Sequence, residues 1–408
     1  MNQIALKIQR RRSPRSAINE IGIVKAVGRH GACGSIIELK EAFFHDGHFC
    51  LAYGIHGRSL DDEISQRPLT VRQTLSVTRQ MLAALRHLHA AGFAHTDVKP
   101  DNILYDRRTG KAKLADLGSA SSKLSAGDSL CTREFTPPEV LLGAPPTPAI
   151  DYWSLGCTVF EMLTGGLLFD PRSLAAGKYQ EFYFTGDDVP EDDLHESVAA
   201  DEAEEAAEQY LAGDLIAGKY QLQKELGQGR YGTVWAALTV HPEVTLDGSY
   251  DTLWKHCCEQ ESLKQAAAGG PLPQRVWQKE KGADDLRDLA LNHEHLLQID
   301  RMFGPLPPAL ILSGTFRTSF FTPEGRFRQA GGRTVPESCA SRLHAEAPQL
   351  PAVEVQRFAQ IIGTLCHLDP ARRSEVDGAW LRYPTPALPA LGKRSASGSR
   401  PEKLAAAG

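Results

Sequence analysis

The chain has 408 residues, of which 42% are hydrophobic and 23% are charged, and its formal net charge is −5. This length suffices for one large two-lobed domain or for two or three smaller ones. The small net charge does not indicate direct binding to nucleic acid, and no segment approaches the roughly 20 apolar residues of a membrane span. We therefore expect neither nucleic acid nor membrane as a partner, and the first residues lack the order of a secretory signal.

The eight cysteines are scattered and form no CxxC pair, which disfavours a zinc ribbon. A reduced, intracellular protein, in the cytoplasm or the nucleus, is expected. The adjacent His256, Cys257 and Cys258 have two interpretations, a fragment of a metal site or an ordinary loop or helix. Because no second ligand pair lies at a suitable spacing, the second interpretation is favoured.

The first half of the chain alternates between strand and helix patterns. Residues 3–8 alternate as a short strand, and residues 16–27 carry apolar residues at helical spacing. Residues 36–55 predict two strands with a turn at Asp46-Gly47. Further along, the patterns predict helices over 75–91 and 153–163 and short strands over 103–105 and 113–115.

The second half contains one segment of different character. Residues 172–282 include an acidic, alanine-rich run (187–208), which is typical of a solvated helix or of disorder. Within the same segment, residues 219–238 predict two strands around a glycine-rich turn, and residues 266–282 show few signs of order. Helix patterns resume near Leu286, and a tail after residue 383 is predicted to be disordered.

The chemistry-bearing residues are concentrated in HTDVKPDN (95–102) and DLG (116–118). Phosphoryl transfer needs a group that orients the attacking hydroxyl, a cation near the transferred phosphate, and hard oxygen ligands for magnesium. Asp97 fits the first role, Lys99 the second, and Asn102 with Asp116 the third. The alternative is a turn-rich loop that holds these residues by chance, which the helix before it and the strands after it disfavour.

These motifs resemble a protein kinase of the CMGC group, and most closely the SR-protein kinase family. The HTD run is typical of that family, with Thr96 where most kinases carry arginine, and so is KLADLGSA (113–120), with Leu117 in place of the usual phenylalanine. The resemblance covers roughly residues 1–172 and 283–383. It includes the further segments CTREFTPPEV (131–140), DYWSLGC (151–157), 296–328 and LDPARRS (368–374).

The resemblance implies an α+β, two-lobed kinase fold, with a small β-rich upper lobe and a larger helical lower lobe. It also implies transfer of the ATP γ-phosphate, with Mg²⁺, to Ser or Thr of protein substrates that are basic or Arg-Ser-rich. By the same resemblance, Thr132 supports Asp97 and Asp151 ties down the catalytic-loop backbone. Glu139 pairs with Arg373.

The ATP-binding residues implied upstream begin at the segment Ala5-Leu6-Lys7-Ile8. Lys7 resembles the strand lysine that holds the α- and β-phosphates, and Glu20 resembles its helix partner; an ordinary surface lysine is the alternative. Tyr53 falls at the gatekeeper position. The hinge that binds adenine through its backbone then runs from Gly54 to His56.

One motif lies in an unexpected place. The pattern GxGxxGxV, made by Gly227, Gly229, Gly232 and Val234, is that of a kinase glycine-rich loop, yet a kinase has this loop before the strand lysine. Three explanations are open. The hairpin 219–238 pairs beside residues 3–8 of the same chain; it completes a neighbouring molecule and so causes self-association; or the reading frame is rearranged and the product incomplete.

The expected organisation is therefore a rearranged kinase. Residues 1–57 form the upper-lobe part from the strand lysine to the hinge, and residues 58–171 the lower lobe with catalytic loop and activation segment. An insertion (172–282), further lower-lobe helices (283–383) and a tail (384–408) follow. Because the glycine loop is displaced, a pseudokinase or interaction scaffold and an inactive fragment remain the alternatives to an active kinase.

Other departures concern substrate and regulation. Thr136 stands where the group has an arginine, so the substrate-side pocket is expected to differ. Since Thr96 removes the usual receptor for an activation-segment phosphate, activity independent of that phosphorylation is expected. The acidic run either attracts basic substrates or is a solvated face, and RRRSPR (10–15) and RSASGSR (394–400) are either phosphorylation sites or basic loops.

Overall fold

A computed structural model of the chain describes residues 3–11, 14–172, 210–229, 232–249, 252–259, 283–328, 337–374, 376 and 381. The acidic run (187–208), the segment 266–282 and the tail with its RSASGSR motif lie outside the described residues. Two positions of the basic segment 10–15 do so as well.

The chain begins with a strand, a helix and a hairpin. Strand β1 (Gln3–Gln9), helix α1 (Pro14–Arg29) and strands β2 (Leu39–His45) and β3 (His48–Gly54) lie where the sequence predicts them. The β2–β3 turn uses the two predicted residues, Asp46 and Gly47, at φ of 46° and 86°. Positive φ at both central positions is the geometry that matches the twist of a two-residue hairpin.

The catalytic and activation segments are framed by the next elements. In chain order these are β4 (Arg58–Ser59), α2 (Leu60–Gln66), α3 (Val71–Ala90), β5 (Ile103–Asp106), β6 (Lys111–Leu114), α4 (Pro138–Leu141) and α5 (Ile150–Thr164).

Helix α3 begins earlier than its apolar periodicity predicts. The predicted start at residue 75 is wrong by four residues, because Thr70 caps the helix and forms a capping box with Gln73. Gly92, at φ 87°, follows its C-terminus as predicted.

The remaining elements come from the insertion and from the last part of the chain. They are β7 (Leu215–Ile216), β8 (Tyr220–Gly229), β9 (Gly232–Thr239), helix α6 (252–259), α7 (Ala283–Phe303), α8 (Pro308–Ser313), α9 (Arg317–Phe320), α10 (Cys339–Glu346) and α11 (Ala352–Leu365). Among the described helices, none has the length and apolar character needed to cross a membrane.

The upper lobe is built on one six-stranded sheet with the order β2-β3-β1-β9-β8-β7. Strand β1 pairs antiparallel with β3 on one side and with β9 on the other. In this register Lys7 lies opposite Val234, and Gln9 lies opposite Gly232. The hairpin therefore pairs with β1 within the same chain, and β1 is not left as an exposed sheet edge.

The two faces of β1 have different roles. Ile4, Leu6 and Ile8 are buried and pack with Trp235 and Leu222 of the hairpin. The alternate residues face the other side of the pleat, toward α1. Burial of apolar surface, at about 25 cal/mol per Å², thus reinforces the β1–β9 hydrogen bonds.

Helix α6 packs against α1, on the face of the sheet opposite to the one that buries Ile4, Leu6 and Ile8. Its Leu253 and Cys257 are buried in a cluster with Ala17, Ile18 and Ile21 of α1. A separate, larger core fills the lower lobe around the apolar faces of α3, α5 and α11. The α+β, two-lobed class predicted from the sequence is confirmed.

Close packing at Gly232 makes the β1–β9 pairing testable. A Cβ atom at Gly232 would lie 2.2 Å from the Ile8 carbonyl oxygen, whereas at Gly227 nothing lies within 4 Å. We expect Gly232→Ala to lower the free energy of unfolding by about 1–3 kcal/mol and to speed amide exchange in residues 3–9. Gly227→Ala, measured by the same denaturant titration, is the control, and equal effects of the two substitutions would contradict the pairing.

Candidate active site

The backbone of the catalytic loop, between α3 and β5, is hydrogen-bonded to one buried carboxylate. Asp151 at the start of α5 accepts hydrogen bonds from the backbone N–H of His95 (2.7 Å) and of Thr96 (2.9 Å). His89 Nε2 lies 2.7 Å from the same side chain. Three donors on one buried carboxylate satisfy it and fix the loop backbone.

The imidazole of His95 is fully buried and links the loop to the strand that follows. Its Nε2 donates to the Ala115 carbonyl oxygen (2.9 Å), and its Nδ1 accepts from the backbone N–H of Asp97 (3.3 Å). These two bonds define a single neutral tautomer and set the direction of Asp97.

Three predicted residues converge on the Asp97 carboxylate. The Thr132 hydroxyl donates to Asp97 Oδ1 at 2.6 Å, and Lys99 Nζ lies 2.8 Å from Thr132 Oγ1 and 3.2 Å from Asp97 Oδ2. Asn102 Nδ2 donates to Asp97 Oδ2 (3.0 Å) and to its backbone carbonyl (2.8 Å). The Asp97 side chain keeps 23% of its exposure, so it is oriented yet open to the cleft.

A second cluster joins the upper lobe to the loop after β6. Lys7 Nζ lies 2.8 Å from Glu20 Oε2 and 2.8 Å from Asp116 Oδ1. Burial works against the charge on Lys7, but Glu20 and Asp116 together raise its pKa above the usual value. For Asp116, burial opposes ionisation, but Lys7 outweighs it and the pKa is lowered. Lys7 and Asp116 therefore stay charged at neutral pH.

Three further predicted ATP-binding residues lie beside Lys7 in the sheet. Ala5 lies two residues before Lys7 on the same face of β1, and its cross-strand partner on β3 is Tyr53. Val234 lies opposite Lys7 on β9. The side chains of Ala5, Lys7, Tyr53 and Val234 therefore share one face of the sheet.

The glycines and the hinge lie further from Lys7. Gly227 and Gly229 are on β8, one strand beyond β9, and pair with Val234 and Gly232, while Arg230 and Tyr231 at the turn lie outside the described residues. In the hinge, Gly54 is half-buried beside the His56 ring. Partial burial, followed by the charges of Lys113 and Lys40, lowers the pKa of His56.

The lower end of the activation segment is anchored by a buried ion pair. Arg373 is fully buried and donates to both carboxylate oxygens of Glu139, at 2.5 and 2.8 Å. Its guanidinium also donates to the His367 carbonyl oxygen and lies over the Trp153 ring. Such bidentate pairing compensates the cost of burying both charges.

Breaking this pair leaves a charge buried without its partner. We expect Arg373→Met to lower the free energy of unfolding by about 3–5 kcal/mol, as measured by urea denaturation. Arg372→Met changes a neighbouring, exposed arginine in the same way and is the control. A loss below about 0.5 kcal/mol, the range of ordinary surface substitutions, would show that the pair does not support the segment.

The two threonines that replace arginines make local contacts. Thr96, at φ 66°, donates through Oγ1 to the Ser119 carbonyl oxygen (2.8 Å) and so links the catalytic loop to the segment after Asp116. Thr136 donates to the Thr132 carbonyl oxygen (3.0 Å) and is buried. Both hydroxyls therefore form hydrogen bonds that stabilise the backbone around Asp97.

Sequence reasoning missed two polar residues of this site. Gln9 Nε2 donates to Glu20 Oε2 (3.3 Å), and Asn19 Nδ2 donates to the carbonyl oxygens of Gly118 (3.1 Å) and Ala120 (3.0 Å). The strand period of two, which places Gln9 on the face of Lys7, was a usable signal. The bonds of Asn19 depend on a tertiary contact and had no local signal.

The residues present fit a magnesium ion. Asn102 uses its amide nitrogen toward Asp97, so its side-chain oxygen is the atom left for a cation, and Asp116 adds a carboxylate. Mg²⁺ commonly takes one or two protein oxygens together with phosphate and water. Within the described ranges, no group of three or more His, Cys, Asp or Glu side chains is arranged for a metal, and His256 instead stacks on Phe44.

Comparison with known proteins agrees with this geometry. Residues 2–208 match the protein kinase domain, which is more than half of the 408 residues. The chain belongs to the protein kinase domain family. The match ends before the hairpin, so the kinship of β8 and β9 with a kinase glycine loop stays a prediction.

Several relatives are named kinases. Serine/threonine-protein kinase prp4 of Schizosaccharomyces pombe is 32% identical over 168 residues, 39% of this chain and 35% of the relative. Homeodomain-interacting protein kinase 2 of Mesocricetus auratus is 35% identical over 147 residues (34% and 13%). Serine/threonine-protein kinase H2 of Homo sapiens is 29% identical over 201 residues (45% and 50%).

The aligned part of the chain thus spans half or less of these relatives' own lengths. Two of these names read serine/threonine-protein kinase, which confirms the predicted resemblance to serine/threonine protein kinases. A protein kinase domain implies the use of ATP and a divalent metal in general terms.

A group of carboxylates lies near the active site in the lower lobe. Glu161 on α5 is largely buried, and its Oε2 has no hydrogen-bond partner among the described residues. Burial, together with the nearby carboxylates of Asp61, Asp101 and Glu134, raises the pKa of Glu161 to about 8. Of the three neighbouring carboxylates, Glu134 pairs with Arg172 Nη2 at 3.3 Å.

This raised pKa predicts a pH-dependent stability. Because the folded state favours the protonated form of Glu161, its contribution is complete below pH 4.5 and is lost as the pH rises toward 8. We expect Glu161→Gln to stabilise the protein more at pH 8 than at pH 5, with a slope of at most about 1.4 kcal/mol per pH unit. Thermal unfolding of both proteins at the two pH values measures this, and a difference that does not change with pH would contradict it.

Proposed function

We propose that the chain is a protein serine/threonine kinase that transfers the γ-phosphate of ATP to a Ser or Thr hydroxyl of a protein substrate. The observation that carries the proposal is the convergence of Thr132, Lys99 and Asn102 on the Asp97 carboxylate, within 2.6–3.2 Å. A loop that held these residue types by chance would not direct three side chains onto one partly exposed carboxylate.

Asp97 orients the substrate hydroxyl and accepts its proton as the oxygen attacks the γ-phosphorus. The bond from this phosphorus to the bridging oxygen breaks, and ADP leaves with the electron pair. Lys99, 3.2 Å from Asp97, stabilises charge that develops on the transferred group. Asn102 and Asp116 would hold Mg²⁺, which supplies positive charge next to the phosphate oxygens.

Lys7 holds the α- and β-phosphates, and the β8–β9 hairpin covers them. This role is supported by the antiparallel pairing of β9 with β1, with Val234 opposite Lys7 and Gly232 opposite Gln9. The adenine binds the hinge backbone from Gly54 to His56, below Ala5 and Tyr53. The displaced hairpin thus has the function that the first two strands of a kinase normally have, which is to cover the phosphates of ATP.

The preferred substrates are basic, and Arg-Ser-rich sequences are the class suggested by the resemblance. Asp61 and Asp101, which lie near Glu161, support this, because carboxylates attract cationic side chains. We also propose an intracellular location, in agreement with cysteines that are scattered along the sequence without a CxxC pair. Fluorescence microscopy of the tagged chain tests the location.

Phosphate transfer tests the main proposal. Radiolabelled ATP with Mg²⁺ is offered to an Arg-Ser peptide, and we expect wild type to label it. Asp97→Asn removes the group that orients the hydroxyl and should lower the rate by a factor on the order of 10² to 10⁴, and Gly229→Val should weaken ATP binding. Asp106→Asn, at the half-exposed end of β5 in the same lobe, is the matched control. A silent wild type would favour a scaffold or an inactive product.

Regulation provides a separate test. Because Thr96 replaces the arginine that usually receives an activation-segment phosphate, and its hydroxyl already bonds to Ser119, activity should not require that phosphate. We expect phosphatase treatment to leave the transfer rate unchanged. Loss of labelling after treatment, regained after incubation with ATP, would contradict this.

A further inference from the structure

Glu20 is a buried carboxylate that accepts hydrogen bonds from two neutral side chains in addition to Lys7. Its Oε2 accepts from Lys7 (2.8 Å) and Gln9 (3.3 Å), while its Oε1 accepts from the Tyr53 hydroxyl at 2.5 Å. Glu20 is 1% exposed and Tyr53 is 4% exposed. Water therefore has little access to either group, and protein donors satisfy both oxygens.

The lysine is shared between two anions. Lys7 Nζ is equally distant, at 2.8 Å, from Glu20 and from Asp116, so one cation serves two carboxylates. Neutral donors must then stabilise the rest of the negative charge on Glu20. Tyr53 supplies the shorter of the two neutral hydrogen bonds.

The position of the Tyr53 hydroxyl, which donates to Glu20, is determined by strand β3. It lies on β3 opposite Ala5, in a cluster with Ala17, Ile18 and Ile21 of α1. Its ring is fixed by this packing, and its hydroxyl reaches the carboxylate of Glu20, which lies between Ile18 and Ile21 on α1. The sheet and the helix are thereby joined by a polar contact inside an apolar cluster.

We propose that Tyr53, assisted by Gln9, is a positioning residue that holds Glu20, and with it helix α1, in the arrangement that engages Lys7. The inference deepens the proposed kinase function and rests on it for its catalytic consequence. It differs from the role of a wall beside adenine, because a wall needs only the aromatic ring, whereas positioning needs the hydroxyl.

Tyr53→Phe separates these two roles, since it keeps the ring and removes one oxygen. Glu20 Oε1 would then be buried without a donor, a loss that corresponds to a change of about five- to thirty-fold in the population of the engaged state. Tyr105→Phe removes the same atom from another buried tyrosine, which makes no hydrogen bond to Glu20, and is the matched control.

Amide hydrogen exchange of residues 14–29 is the first readout, because it does not depend on activity. We expect exchange in α1 to be about five- to thirty-fold faster in Tyr53→Phe than in wild type or Tyr105→Phe. In a Glu20→Met background, which removes the acceptor, Tyr53→Phe should have no further effect. Unchanged exchange, or an equal effect with and without Glu20, would overturn the proposal.

Phosphate transfer is the second readout. If wild type is active, Tyr53→Phe should lower kcat by a similar factor and leave the Kd for ATP within about two-fold, because the ring beside adenine is unchanged. A rise in the Kd for ATP without a change in kcat would assign Tyr53 to the wall role. If wild type is silent, the proposed function fails, while the exchange comparison still decides the role of Tyr53.

Discussion

The antiparallel pairing of β1 with β9 is the constraint on which the rest of the upper lobe depends. Strand β1 carries Lys7 and lies between β3, its near neighbour in the chain, and β9, which comes more than 200 residues later. Without β9, one edge of β1 would offer unpaired backbone groups and exposed Ile4, Leu6 and Ile8. The position of a strand in the sheet thus differs from its position in the sequence. The geometry of the site depends on the position in the sheet.

The electrostatics of the cleft follow from that placement. Because β1 is held on both sides, Lys7 can lie within 2.8 Å of both Glu20 and Asp116 and so connect the upper lobe with the magnesium-binding segment. In the lower lobe, buried Asp151 orders the catalytic loop, and the Glu139–Arg373 pair anchors the activation segment. In each of these three clusters the buried charged groups have charged or hydrogen-bonded partners, which offset the cost of burying them.

The lower-lobe part of the site was the easier part to predict. Asp97, Lys99 and Asn102 are so close in the chain that their spacing already determines their proximity, and the flanking helix and strands follow from periodicity. The start of α3 was misplaced because a capping box, and not apolar spacing, sets it.

Contacts between distant segments lay beyond local patterns. The glycine motif predicted a hairpin but left its partner open, because strand pairing across the chain depends on the whole fold. In the same way, the bond from Tyr53 to Glu20 joins residues of a strand and a helix that no spacing rule relates. Sequence patterns thus predicted which residues matter, and tertiary packing determined how they meet.

A disulfide between β1 and β9 tests whether the hairpin completes the upper lobe of its own chain. Gln3 and Leu238 face each other across β1 and β9, so cysteines at these two positions are within reach of a disulfide. The chain with both substitutions would be prepared in light and in heavy-isotope form, mixed in equal amounts, oxidised and analysed by mass spectrometry. We predict cross-linked peptides that are wholly light or wholly heavy. Mixed light–heavy peptides would show that the hairpin completes a neighbouring molecule, and the absence of this cross-link would show that β9 does not pair with β1.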